Sequence, residues 1–132
     1  MRGLDTNVLV RYITGDDSQQ TPRAKTFIER AEDAGEPLYV DTIVLCELCW
    51  TLRGRPYAFD RTSIAAVLER MLASTVFEIQ GRDLVQRATE AYRLGPADFA
   101  DYLIGLHNQH EGCRNTATFD TNLKDHPAFR LL

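Results

Sequence analysis

The sequence predicts an α/β fold, a parallel sheet with helices on both faces. Two observations predict it: short strand-like runs alternate with longer runs of helical apolar spacing, and Gly15, Gly35, Pro37, Gly81, Gly95-Pro96 and Gly112 punctuate the chain between them. Strand and helix in alternation favour parallel pairing, because each helix carries the chain back to the same edge of the sheet. Ligands of such sheets bind beyond the carboxyl ends of the strands.

The strand candidates are Met1 to Leu4, Leu38 to Val40, Val76 to Ile79, Asn115 to Thr118 and Phe129 to Leu132. After the first strand, Leu4-Asp5-Thr6-Asn7-Val8-Leu9-Val10 enters an apolar turn, with Asp5 placed to cap a helix that starts near Asn7. Helical spacing joins Ala24, Phe27, Ile28 and Ala31, then Ile64, Val67, Leu68, Met71 and Leu72, then Leu84, Val85, Ala88, Ala91 and Tyr92. Ile43 to Trp50 reads as an apolar helix whose one charge is Glu47. Pro96 opens a further helix, with Phe99, Tyr102, Leu103 and Leu106 on its apolar stripe and Asp98, Asp101 and Gly105 on the opposite face. Arg53-Gly54-Arg55-Pro56-Tyr57 is the clearest long loop.

At 132 residues the chain is expected to form a single domain over 1–132, with no repeat, low-complexity tract or linker to divide it. Its three cysteines are an odd number, no charged-then-apolar leader opens the sequence, and no apolar run approaches a membrane span. A cytoplasmic protein that folds without disulfides is the expectation. The net charge of −4 argues against coating nucleic acid by charge alone, but not against an enzyme whose metal supplies positive charge.

Five carboxylates, Asp5, Glu47, Asp98, Asp101 and Asp120, each interrupt or border an apolar segment. An unpaired carboxylate in apolar surroundings is costly, so a shared cation explains the set, and oxygen-only ligands favour Mg²⁺ or Mn²⁺. Each acid also has a structural explanation: Asp98 and Asp101 suit a helix N-terminus, Asp120 suits the cap of a turn over Thr121 to Lys124, and Asp5 suits a cap of its own. None of these explanations covers all five. Carboxylates around divalent ions can position a water and neutralise charge on a phosphate during in-line displacement, which is a phosphodiester hydrolase design.

At these residues the chain resembles the PIN-domain ribonucleases, specifically toxins of the VapC type. The likeness runs over nearly the full length and rests on Leu4-Asp5-Thr6-Asn7-Val8-Leu9, the lone Glu47 in an apolar helix, Ala97-Asp98-Phe99-Ala100-Asp101-Tyr102-Leu103-Ile104, and Thr118-Phe119-Asp120, in that order. The resemblance implies a three-layer α/β/α sandwich around a central parallel sheet. It implies that Asp5, Glu47, Asp101 and Asp120 are catalytic and bind Mg²⁺ or Mn²⁺, with Asp98 a further metal ligand and Thr6, Asn7 and Thr118 polar supports. It also implies an RNA substrate, a homodimer, and a cognate VapB-type antitoxin whose tail enters the acidic groove. A non-catalytic PIN-like module that binds RNA or protein is the alternative.

Other motifs point elsewhere only weakly. Cys46 and Cys49 form a C-x-x-C, and His107, His110 and Cys113 are conceivable zinc ligands. Inside an apolar helix, however, the two thiols suit small buried groups, and the histidines suit the solvent side of a helix end. Trp50 reads as a packing residue, as does Tyr57, although Tyr57 among Arg53, Arg55 and Arg61 offers a conceivable RNA contact. A haloacid-dehalogenase-like phosphatase would need an acid at position 7, where Asn7 stands, and a response-regulator receiver would need its acceptor Asp in mid-chain with a later Lys.

Overall fold

The computed structural model describes residues 1–132. Two compact units divide the chain, Met1–Arg82 and Asp83–Leu132. In the first, β1 (Arg2–Gly3) is followed by α1 (Thr6–Thr14) and α2 (Gln20–Asp33), β2 (Leu38–Val40) by α3 (Thr42–Arg53) and α4 (Arg61–Ala73), and β3 (Phe77–Ile79) closes the sheet. The strand order is β1-β2-β3, every pair parallel, with Arg2 opposite Leu38 and Leu38 opposite Phe77. Two helices, rather than one, fill each crossover.

Helices flank this sheet: α1 packs on α2 and α3, α3 on α4, and α4 on β3. The core of the unit includes Leu9, Val10, Ile28, Leu38, Val40, Leu45, Leu48, Leu52, Ile64 and Leu68, all buried. The helix expected near Asn7 starts one residue earlier, at Thr6, with Asp5 at its N-cap position, so the expected apolar turn is its first turn; it continues to Thr14, with Leu9 and Val10 on one buried face. Gly15 ends the helix at a φ of 64°, a left-handed conformation open to glycine, and its N–H bonds the Arg11 carbonyl at 3.0 Å.

The loop after α3 is held by side chains. Tyr57 donates its hydroxyl to Asp16 Oδ2 at 2.5 Å, and Arg11 Nη1 donates to Tyr57 at 3.2 Å and to Asp16 Oδ1 at 3.1 Å. The Tyr57 bond, seconded by Thr14 and the nearby Arg11, holds the Asp16 carboxyl below its usual range. Tyr57 is thus a tether between the loop and the end of α1.

In the second unit, α5 (Arg82–Leu94, which begins on the last residue of the first unit) leads to α6 (Phe99–His110), β4 (Thr116–Thr118), one 3-10 turn over Thr121–Leu123, and β5 (Phe129–Leu131). β4 and β5 are parallel, with Thr116 opposite Phe129. Gly105 does not lie on an open polar face as expected. It is buried, and a Cβ there would come within 2.5 Å of the Phe129 ring and 3.2 Å of the Ala128 Cβ. The absence of a side chain lets the Phe129 ring and the Ala128 methyl pack directly against the helix. No helix of the chain is long and apolar enough to cross a membrane.

Candidate active site

Because β1, β2 and β3 are parallel, their carboxyl ends lie along one edge of the first sheet. Just beyond that edge stand Asp5, Asp41 and Gln80. Asp5 and Asp41 occupy the same local position, the N-cap of the helix after a strand, both in extended backbone conformation. Their side chains differ in use. Asp41 Oδ1 accepts the Val44 N–H at 2.9 Å, a standard helix cap, whereas the Asp5 carboxylate makes no cap bond. Asp5 is exposed and lines an open cleft with Asn7. Gln80 Oε1 accepts from the Thr42 N–H at 2.9 Å, so it serves the start of α3.

Glu47 lies in the second turn of α3, where it is exposed rather than buried. The helix buries Val44, Leu45, Leu48, Cys49 and Leu52 and turns Glu47, Ile43 and Trp50 outward; Trp50 is 51% exposed, which corrects its assignment as a packing residue. Thr6, buried at the start of α1, donates its hydroxyl to Glu47 Oε1 at 3.3 Å. The residue next to Asp5 therefore fixes one oxygen of Glu47.

In the second unit, Asp98 is the N-cap of α6 and Asp101 its third residue, joined in a reciprocal capping box with the Asp98 N–H on Asp101 Oδ2 at 3.2 Å. Asp120 caps the 3-10 turn through Asn122 N–H at 2.9 Å, and its own N–H bonds Thr118 Oγ1 at 3.0 Å. The adjacent Phe119 is 82% exposed. All three acids are half-buried.

None of the five carboxylates is buried. The premise that apolar neighbours in sequence imply burial fails at each of them, because a helix or strand end places adjacent residues on opposite sides. Thr6 and Glu47, Asp98 and Asp101, and Thr118 and Asp120 are brought together as pairs. Within either unit, no three His, Cys, Asp or Glu side chains form a group able to hold a metal ion. The donor chemistry nevertheless suits a hard cation: carboxylate oxygens, one of each pair oriented by a hydrogen bond, with Asp5 unused as a cap.

Cys49 is buried, Cys46 half-buried, and Cys113 exposed, all three as free thiols. Burial pushes the Cys46 thiol up, which favours its protonated form over the thiolate that binds metal. His107 and His110 are exposed in the last turn of α6.

A family model described as PIN domain matches residues 4–128. The chain belongs to the PIN-domain family. The match takes in every one of the five acids, from Asp5 to Asp120, and agrees with an α/β sandwich in which the parallel sheet β1-β2-β3 is flanked by helices. A VapC ribonuclease of Aquifex aeolicus (strain VF5) is similar to this PIN chain, 26% identical over 124 residues that cover 94% of the chain and 90% of that protein. No solved structure matches. Asp41, a further acid at a strand end, carries no motif that sets it apart in sequence; it accepts the Val44 N–H, which accounts for it as a cap.

Proposed function

We propose that this PIN chain is a divalent-metal-dependent endoribonuclease, the toxin of a VapBC-type pair. Its two units act as one PIN domain over residues 1–132, and the protein works as a cytoplasmic homodimer restrained by a small VapB-type antitoxin. The observation that carries the reading is the Asp5 carboxylate: a strand-end acid in a PIN-family chain, exposed beside a cleft and unused by the helix it precedes. Similarity to a VapC ribonuclease over nearly the whole chain supports the same activity.

In this reading Asp5, Glu47, Asp101 and Asp120 are the catalytic acids and Asp98 joins them in holding Mg²⁺ or Mn²⁺. When bound, such an ion supplies positive charge for the phosphate and lowers the pKa of a water. Thr6 keeps Glu47 Oε1 in place, the capping box does the same for Asp101, and the turn amide of Asn122 orients Asp120. Thr118 supports Asp120 through its backbone, and Asn7 shares the Asp5 cleft.

Total RNA incubated with the protein tests this. Cleavage is expected with Mg²⁺ or Mn²⁺, is abolished by EDTA, and falls at least about 100-fold in Asp5→Asn, the scale on which loss of one electrostatic contact at a reacting centre lowers kcat. Undiminished cleavage in excess EDTA overturns the metal mechanism. No cleavage by the folded parent under any metal condition favours a non-catalytic PIN-like binding module instead.

A further inference from the structure

The acidic balance of the chain is reversed in the lining of one cleft beside α2. Arg2, Arg23 and Arg30 line an open cleft of about 640 Å³ between α2 and the start of β1 and β2, and Glu36 is the one acid in its lining. Glu36 is already engaged, 3.3 Å from Arg2 and 3.9 Å from the N-terminal ammonium. Arg23 and Arg30 have neither an ion pair nor a side-chain hydrogen bond, although the chain carries 19 acids against 15 lysines and arginines. What sets these two arginines apart is their placement: both stand on one wall of the same open cleft, free to meet an anion there.

The spacing narrows the choice of anion. Arg23, Phe27 and Arg30 stand at helical intervals of four and three, so they share one face of α2, with the two arginines about 10 Å apart along the axis. Phe27 is half-buried between them, and the Arg2 guanidinium lies 5.7 Å from its ring centroid. Cations alternating with an aromatic ring in an open groove suit a single-stranded nucleic acid, whose phosphates repeat and whose bases stack. A second cleft, of about 600 Å³, shares Arg23 and Phe27 with the first and reaches Asp5 and Asn7. Arg23 and Phe27 are thus common to the arginine-lined cleft and to the one that holds the candidate catalytic acid.

We infer that this groove is a binding track for the sugar-phosphate backbone of single-stranded RNA, with Arg23 and Arg30 contacting phosphates and Phe27 forming the apolar surface between them. The identity of the strand as RNA rests on the ribonuclease reading. The strand would run along α2 toward the neighbouring cleft that holds Asp5.

The test uses the full chain carrying Asp5→Asn, so that RNA stays intact, and a fluorescein-labelled 12-nucleotide polyuridylate followed by anisotropy over a range of salt concentrations. Arg23→Gln with Arg30→Gln is expected to weaken binding tenfold or more and to reduce the slope of log K against log salt by about 1.4, for two phosphate contacts on a single strand. Lys25→Gln with Arg70→Gln, which removes the same charge from exposed positions outside the cleft, is expected to change neither. Equal binding by the Arg23/Arg30 variant, an equal loss in the control pair, or no binding by the parent overturns the track. Displacement of the RNA by an equimolar 12-residue polyglutamate assigns the cleft to an acidic peptide and also overturns it. RNA cleavage, with Asp5 restored, is scored separately: arginine-dependent binding without cleavage keeps the track and removes the nuclease, and cleavage with arginine-independent binding does the reverse.

Discussion

Asp5 and Asp41 separate structural from functional use of the same residue type in the same local setting. Both follow a parallel strand and precede a helix, yet only Asp41 bonds a free helix amide. Asp41→Ala is expected to cost about 1 kcal/mol, the usual loss of a cap, and to lower Tm by several degrees in a chain of this size. Asp5→Ala should cost no more than about 0.5 kcal/mol, through the helix dipole alone, while removing RNA cleavage. Thermal melts and cleavage assays on the two variants check the contrast. A large drop in Tm for Asp5→Ala would make it a structural acid and withdraw it from the site. Glu47 adds a second case. Because it is exposed and bonded only by Thr6, Thr6→Val should disturb activity by freeing the Glu47 carboxylate, at a smaller loss than Glu47→Gln.

At the scale of elements, α6 depends on what packs against it. Gly105→Ala gains about 1 kcal/mol of helix propensity, but a Cβ 2.5 Å from the Phe129 ring and 3.2 Å from Ala128 overpacks the contact, which typically costs 1–3 kcal/mol. The expected net result is a lower Tm, partly recovered by Phe129→Leu. The turn before β5 carries a pH dependence of its own. His126 Nδ1 accepts the Ala128 N–H at 3.1 Å, and the ring lies 5.4 Å from Tyr102 and 5.7 Å from Phe129, centroid to centroid. Burial, with a smaller contribution from Arg87, pushes its pKa below the ordinary 6.5. The unfolded chain then binds a proton more readily than the folded one. The stability from neutral His126 is fully present above about pH 6.5 and is lost as pH falls through the folded value. His126→Asn, which offers an oxygen to Ala128 but does not titrate, should flatten the fall in Tm between pH 7.5 and pH 5. An unchanged slope would assign the acid sensitivity to other groups.

For the whole molecule, the strands were legible in local pattern: Leu38–Val40 matches to the residue, and the other four lie inside their expected spans. Parallel pairing followed from the alternation of elements. The face of α3 was not legible, because Ile43-Val44-Leu45-Cys46-Glu47-Leu48-Cys49-Trp50 is apolar almost throughout and only its tertiary neighbours decide that Leu45 and Leu48 go inward while Glu47 and Trp50 go out. The order of acids along the chain was legible as a motif, whereas the hydrogen bonds that distinguish Asp5 from Asp41 are properties of the folded backbone. Whether acids of Met1–Arg82 and Asp83–Leu132 serve one cation is best read from the stability of the entire chain. A ligand that binds only the folded state stabilises it by RT ln(1 + [L]/Kd), about 2.7 kcal/mol at a hundredfold excess over Kd. Mn²⁺ should therefore raise Tm of the parent by several degrees. If Asp5 and Asp120 hold the same ion, Asp5→Asn and Asp120→Asn should each abolish most of that rise, and the double variant should lose no more than either alone, since one site can be emptied only once. Independent sites would give two partial losses that add. Additive losses in the metal-dependent Tm shift would refute a shared cation while leaving each acid a separate metal contact.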